Sequence, residues 1–356
     1  MIPPTESGLR TWLDGGGEPE AAREGVREWL ERYGTQPEAA FLLKSWLDAG
    51  GERELVAAAV SDWLERYGER IDASYVLRAW LNAGGKWKRV KNVVVRWLTL
   101  YDTEPDARHV LVAWLTAAGP RSLVKEHVAH WGHRYFADRK AGFVFRAWLS
   151  RKGFLTPVHE PVIRWLRGHW DSPEATPVLK LLAGRSDLPT DALQEILAAA
   201  RAQPEVEGAL GRLVELDQHL LQPEVAAEVL AACESVAGAV IASPAPSRHN
   251  TALMARLFAI LGVDRALRMA LRPLFLAWLR HPSSFGAARS PESLPTLETE
   301  KHACLLCVTD ALAAGDLDLK RDRDALTRFW TWVATWDPED REHVRIFLAE
   351  RAKERG

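Results

Sequence analysis

The sequence predicts an all-α fold, a right-handed α-solenoid of antiparallel helix pairs followed by a C-terminal helical region. Three observations lead there. Tryptophan returns every 17 residues, at Trp12, Trp29, Trp46, Trp63, Trp80, Trp97, Trp114, Trp131, Trp148 and Trp165, and a fixed period held this long marks a tandem array. Apolar residues around each tryptophan fall at steps of three and four, the helical period. Runs with the strict alternation of strands are missing, while 20 prolines and 24 glycines suit many short helices separated by turns.

The flanks sort the tryptophans into two kinds. VREWLERYG at Trp29, VSDWLERYG at Trp63, VVRWLTLYD at Trp97 and VAHWGHRYF at Trp131 form the first. LLKSWLDAGG at Trp46, VLRAWLNAGG at Trp80, VLVAWLTAAG at Trp114 and VFRAWLSRKG at Trp148 form the second. The unit is therefore 34 residues, made of two unlike helices. Gly50-Gly51 and Gly84-Gly85 end second-kind helices, where a left-handed cap suits glycine. Pro37, Pro105 and Pro173 are expected to start the next second-kind helix, near its first turn.

A helix pair cannot bury its own apolar face, so neighbours must stack. A buried indole removes about 200 Å² from water, on the order of 5 kcal/mol before entropy is counted. Identical placement in every repeat is what packing demands, so the tryptophans are expected in the core rather than in an aromatic ligand cage.

The pattern decays after Trp165, with Leu182 in the next tryptophan slot. Residues 8–182 therefore read as about five tandem repeats, 183–245 as degenerate or capping helices, and 246–356 as a C-terminal helical region. Helices are expected near 190–202, 205–220, 223–242, 250–263, 264–281, 299–314, 322–336 and 339–353. SPAPSRHN at 243–250 reads as a linker or long turn, and the polar, proline-rich 282–298 as a mobile loop. LAWLRH at Trp278 looks like a stray repeat motif.

Over residues 8 to about 182 the 34-residue helix–turn–helix unit resembles the tetratricopeptide family of α-solenoids, with HEAT-like repeats the other candidate. The tetratricopeptide pattern puts tryptophan early in its first helix, whereas Trp63 and Trp80 sit late, just before the turn. The resemblance implies a non-catalytic scaffold or adaptor that binds a protein or peptide on a concave face.

Charge is uneven although the net is only −2. Residues 86–170 hold 16 basic and 6 acidic side chains, between two acidic segments of −6 each. Two residues before second-kind tryptophans stand Lys44, Arg78, Val112 and Arg146, with Lys180 before Leu182. One residue before first-kind tryptophans stand Glu28, Asp62, Arg96, His130 and Arg164. The candidate binding residues are Lys44, Arg78, Arg96, His130, Arg146, Arg164 and Lys180. A field of this kind favours an acidic protein or peptide partner. A nucleic-acid backbone is the alternative, and Trp87 among the cations of KWKRVKNVVVR would serve it, but no stacking series is visible outside the core.

Other chemistry is weakly supported. Cys304-x-x-Cys307 lacks the second pair of a zinc finger and reads as buried structural cysteine. His127, His130 and His133 lie on one helical stripe, where exposed, generic positions are expected rather than metal ligands. Arg121 to His127 and Arg164 to His169 match the loose Arg–His spacing of some helical ribonucleases, the least favoured reading, and no recognised catalytic motif occurs. Asp316, Asp318, Asp322 and Asp324 lack the glycine and closing glutamate of a calcium loop and suit an acidic helix N-terminus. No cofactor or metal is expected. Three cysteines are too few for a disulfide framework, the N-terminus lacks the regions of a secretory signal, and no apolar run of membrane-spanning length stands out. The expectation is a cytoplasmic protein with no membrane partner.

Overall fold

The computed structural model describes residues 5–170, 172–202, 206–285 and 298–353. Its regular elements are α-helices and short 3₁₀ turns, with no strand among the described residues. The chain forms two compact units, Met1–Gly168 and His169–Gly356.

The first unit has ten α-helices: α1 (Glu6–Asp14), α2 (Pro19–Tyr33), α3 (Ala39–Asp48), α4 (Arg53–Tyr67), α5 (Ala73–Asn82), α6 (Trp87–Tyr101), α7 (Ala107–Thr116), α8 (Lys125–Tyr135), α9 (Ala141–Ser150) and α10 (His159–Gly168). The odd-numbered helices, nine or ten residues each, pack in series as one row, α1 on α3, α3 on α5, α5 on α7 and α7 on α9. Among the even-numbered helices α2 packs on α4, α4 on α6 and α8 on α10, a second row whose members are fifteen residues long in α2, α4 and α6. Ala39, Ala73, Ala107 and Ala141 open their short helices and are fully buried. Such small side chains let the short helices approach more closely than the long ones.

Each tryptophan of the 17-residue series from Trp46 to Trp165 is buried as expected. Trp12, at 41% exposure, and the half-buried Trp29 are exceptions at the N-terminal end of the stack. The two kinds of tryptophan do different work. On the short helices the indole N–H of Trp46 donates to the Glu52 carbonyl at 3.0 Å, and Trp12, Trp80, Trp114 and Trp148 likewise reach the carbonyl six residues on. The ring lies over the glycine just before that carbonyl: a Cβ would stand 2.2 Å from the ring at Gly51 and 2.3 Å at Gly85 and Gly119. The glycine pair therefore divides its labour. Gly50 and Gly84 take the left-handed conformation, at φ of 80° and 76°, a slot that Ala118 and Lys152 also fill. The second glycine leaves room for the ring.

On the long helices the indole reaches backward. Trp63 donates to the Gln36 and Pro37 carbonyls, Trp97 to Arg70 and Trp131 to Glu104, all in the turn before a short helix. One turn further on, the hydroxyls of Tyr67, Tyr101 and Tyr135 donate to Thr35, Glu69 and Thr103 carbonyls in the same turns. Pro37 and Pro105 thus sit near the first turn, in an indole-binding turn two residues ahead of the helix.

The second unit contains α11 (Ala175–Ala183), α12 (Thr190–Arg201), α13 (Val206–Leu216), α14 (Ala226–Ala242), α15 (Arg248–Leu261), α16 (Arg265–Ala270), α17 (Arg272–Arg280), α18 (Glu298–Ala313), α19 (Arg323–Val333) and α20 (Pro338–Lys353). It also stacks in two series, α11–α13–α15–α18 and α12–α14–α17–α19. Helical pairing thus continues after the tryptophan period ends, through apolar residues with no fixed spacing. The expected helix over 264–281 is broken at Leu271, with Pro273 in the first turn of α17. The expected linker at 243–250 shrinks to a few residues, because the Ser247 side chain caps α15. Residues 286–297 of the expected loop lie outside the described residues.

One helix, Pro223–Ala242, is long and apolar enough to cross a membrane by length and composition. The expectation of no such stretch overlooked it because Glu224, Glu228 and Glu234 interrupt the run. It packs against α12, α13 and α17, burying Val229, Cys233, Val236 and Val240.

Candidate binding surface

The seven candidate residues fall on three parts of the fold. Lys44, Arg78 and Arg146 lie on the short-helix row of the first unit, Arg96, His130 and Arg164 on its long-helix row, and Lys180 on α11 of the second unit. The long-row members are tied to local carboxylates: Arg96 to Glu69 at 3.7 Å, His130 to Asp102 at 3.2 Å and Arg164 to Glu160 at 3.2 Å. Arg164 also lies 4.0 Å over the Phe136 ring. Lys180 pairs with Glu215 at 3.1 Å. Exposed pairs of this kind contribute little, about 0–1 kcal/mol each.

On the short row the members adjoin. Lys44 and Arg78, from neighbouring helices, share Asp48 at 3.1 and 3.7 Å. One turn toward each helix N-terminus stands an aromatic series that sequence reasoning missed. Phe41, Tyr75 and Phe143 are 49%, 48% and 41% exposed, and the partly exposed His109 fills the same slot on α7. The Arg10 guanidinium lies 5.5 Å over the Phe41 ring and that of Arg146 5.6 Å over Phe143. Its sequence signal was available: an aromatic or histidine five residues before each of Trp46, Trp80, Trp114 and Trp148. It was hidden because a helix that is apolar almost all round gives no clue to which aromatic faces water. Five and two residues before the tryptophan share one helical face, so the aromatics and cations line up together.

Of the histidine stripe, His130 and His133 are exposed as expected. His127 is mostly buried rather than exposed, bonding Asp102 at 2.7 Å, while His133 stands 4.0 Å from Glu160. Cys304 and Cys307 are buried as expected, and burial pushes both thiols up, Cys307 to about 12. Asp322 opens α19 and is buried against Arg280 at 2.9 Å, and the hydrogen bonds from that guanidinium hold its carboxyl well below the usual range. Among the described residues, one cluster could hold a metal by geometry, Glu298, Asp340 and His343. The Lys301 ammonium pairs with both of its carboxylates.

No family model matches the chain, and no curated protein matches it. Among the described residues the structure is all-α, with helices packing consecutively within each unit.

Proposed function

We propose that the protein is a non-catalytic scaffold, a right-handed solenoid of antiparallel helix pairs, whose short-helix row binds an extended acidic polypeptide segment. The observation that carries this reading is the coincidence of exposed aromatics with Lys44, Arg78 and Arg146 on one row. The closer packing of that row supports reading it as the inner side of a curved stack, where solenoids present extended surfaces. Packed helices stand about 8–10 Å apart, close to three residues of extended chain at ~3.3 Å each. The row therefore suits a segment with an anchor at every third residue: acids opposite Lys44 and Arg78, an apolar residue opposite Val112, an acid opposite Arg146.

A peptide of that pattern, with glutamates at positions 1, 4 and 10 and leucine at 7, tests the reading. It should bind more tightly than a scrambled peptide of the same composition, and Arg78→Glu should weaken it about tenfold. Equal binding of the two peptides would defeat the proposal.

Nucleic acid is a second reading, favoured by the exposed aromatic series, because stacking surfaces beside cations suit single strands. Asp48 between Lys44 and Arg78 opposes it, since that carboxylate would face a continuous polyanion. Binding to a labelled oligonucleotide at two salt concentrations decides. The second reading requires tight binding at low salt and a steep loss at high salt.

A further inference from the structure

Two adjacent repeats each depart from their copies at one position, and the two departures converge on one cavity. From α3 onward the residue before each short helix is its N-cap, Glu38, Asp72, Asp106, Lys140 and Glu174 in turn, whereas α1 has Thr5. Acids suit this place, because the helix dipole is positive there. Lys140 sets its ammonium against that field, at a cost in stability that packing does not require. Two residues along, the series Ala40, Ser74, Arg108, Gly142 carries its one cation at Arg108. Both exceptions line a cavity of about 380 Å³ formed by α5, α7 and the start of α9.

The cavity's charged lining is entirely basic: Arg78, Arg108 and Lys140, beside the His109 imidazole. Phe143 and Val112 give it an apolar wall, and Asn82 an amide. The nearest acids only partly offset the arginines. Asp48 lies 3.7 Å from Arg78, and the exposed Asp106 3.6 Å from Arg108. Burial, then the adjacent Arg108 and Arg78, hold His109 below its ordinary value, as expected where positive potential accumulates. A neighbouring cavity at the α5–α7 turns has the opposite character, lined by Asp72, Glu104 and Asp106.

The geometry points to a phosphomonoester site, at which Arg78, Arg108 and Lys140 hold the dianionic phosphate of a phosphorylated side chain in the bound segment. Two guanidiniums and an ammonium match a charge of nearly −2 better than a single carboxylate, and guanidinium forks pair two oxygens at once. An apolar wall beside them suits the ring of a phosphotyrosine. The inference rests on the short-helix row being the binding face and adds what is recognised there.

The test uses the full chain and the anchored peptide described above, with tyrosine or phosphotyrosine at position 5, and calorimetry as readout. Phosphorylation should tighten binding about tenfold or more. Lys140→Glu should abolish that gain while leaving the unphosphorylated peptide's affinity unchanged or slightly lower. It restores the acid found at the other N-caps, so folding should be kept or improved, which a melting curve checks. Arg96→Glu, on the long-helix row, should leave the gain intact. Equal affinity of the two peptides, or an equal loss with Arg96→Glu, would overturn the site. Inorganic phosphate binding as tightly as the phosphopeptide would instead mark a free-anion site and overturn the assignment to a partner segment. If the anchored pattern shows no advantage over its scramble but phosphorylation still gives a gain lost with Lys140→Glu, the surface reading fails and the phosphate site stands.

Discussion

Buried aromatics fasten one repeat of the first unit to the next through neutral hydrogen bonds, whereas arginine–carboxylate pairs cross between helices in the second. Trp63, Trp97 and Trp131, each with its tyrosine, reach back to the preceding turn. In the second unit Arg256 pairs with Glu300, Arg268 with Asp310, Arg272 with Asp316 and Arg280 with Asp322. Trp278, Trp332 and Trp336 bury indole N–H groups with no partner among the described residues. A neutral donor on a backbone carbonyl is indifferent to pH and little affected by salt, while the charge pairs respond to both. The indole and tyrosine bonds of the unit that presents the proposed binding surface are thus insensitive to ionic conditions, although charge pairs such as Arg78–Asp48 and Arg96–Glu69 also cross between its repeats.

The difference can be broken from either side. The largest effect is expected from Trp97→Ala, which removes a fully buried ring and its bond to Arg70; a loss of about 3–5 kcal/mol is expected. Segment-resolved hydrogen exchange should place that loss in residues 1–168. On the other side, Asp322→Ala removes the partner of Arg280 and the acceptor of the Asp318 amide, for about 2–3 kcal/mol in the second unit by chemical denaturation. A carboxyl depressed in the folded state adds stability above its unfolded value, near ~3.9, and loses it as pH falls toward the folded one. Acidification below about pH 4 should therefore loosen the second unit before the first, and Asp322→Ala should flatten its acid response.

Smaller effects sharpen the picture. Gly85→Ala puts a methyl into the Trp80 ring and should cost about 1–3 kcal/mol in thermal unfolding. Gly50→Ala, at the left-handed slot that Ala118 already fills, should cost only about 1 kcal/mol. Smallest is Tyr101→Phe, which removes one hydroxyl from the Glu69 carbonyl, about 0.5–1.5 kcal/mol. Equal costs at Gly85 and Gly50 would contradict the division of labour in the glycine pair.

The first unit's helices were legible because one strong residue repeats at a fixed spacing and its partners lie in the same motif. Trp46, Gly51 and Glu52 are within six residues of one another, so the lock is written locally. The second unit's stacking was not legible, because Arg256 and Glu300 lie 44 residues apart and no period connects them. The candidate surface was half legible. Lys44, Arg78 and Arg146 stood out by charge, while Phe41, Tyr75 and Phe143 looked like any other core aromatics. Register put Arg96, His130 and Arg164 on the other kind of helix, but it could not show that the two kinds pack as separate rows.

Hydroxyl-radical footprinting of the full chain, with and without the anchored acidic peptide, tests the binding surface most directly. Phe41, Tyr75 and Phe143 should lose oxidation on binding, while the exposed Leu100 on α6 keeps its own. Protection of Leu100 with Phe41, Tyr75 and Phe143 unchanged would place the partner on the long-helix row and contradict the account.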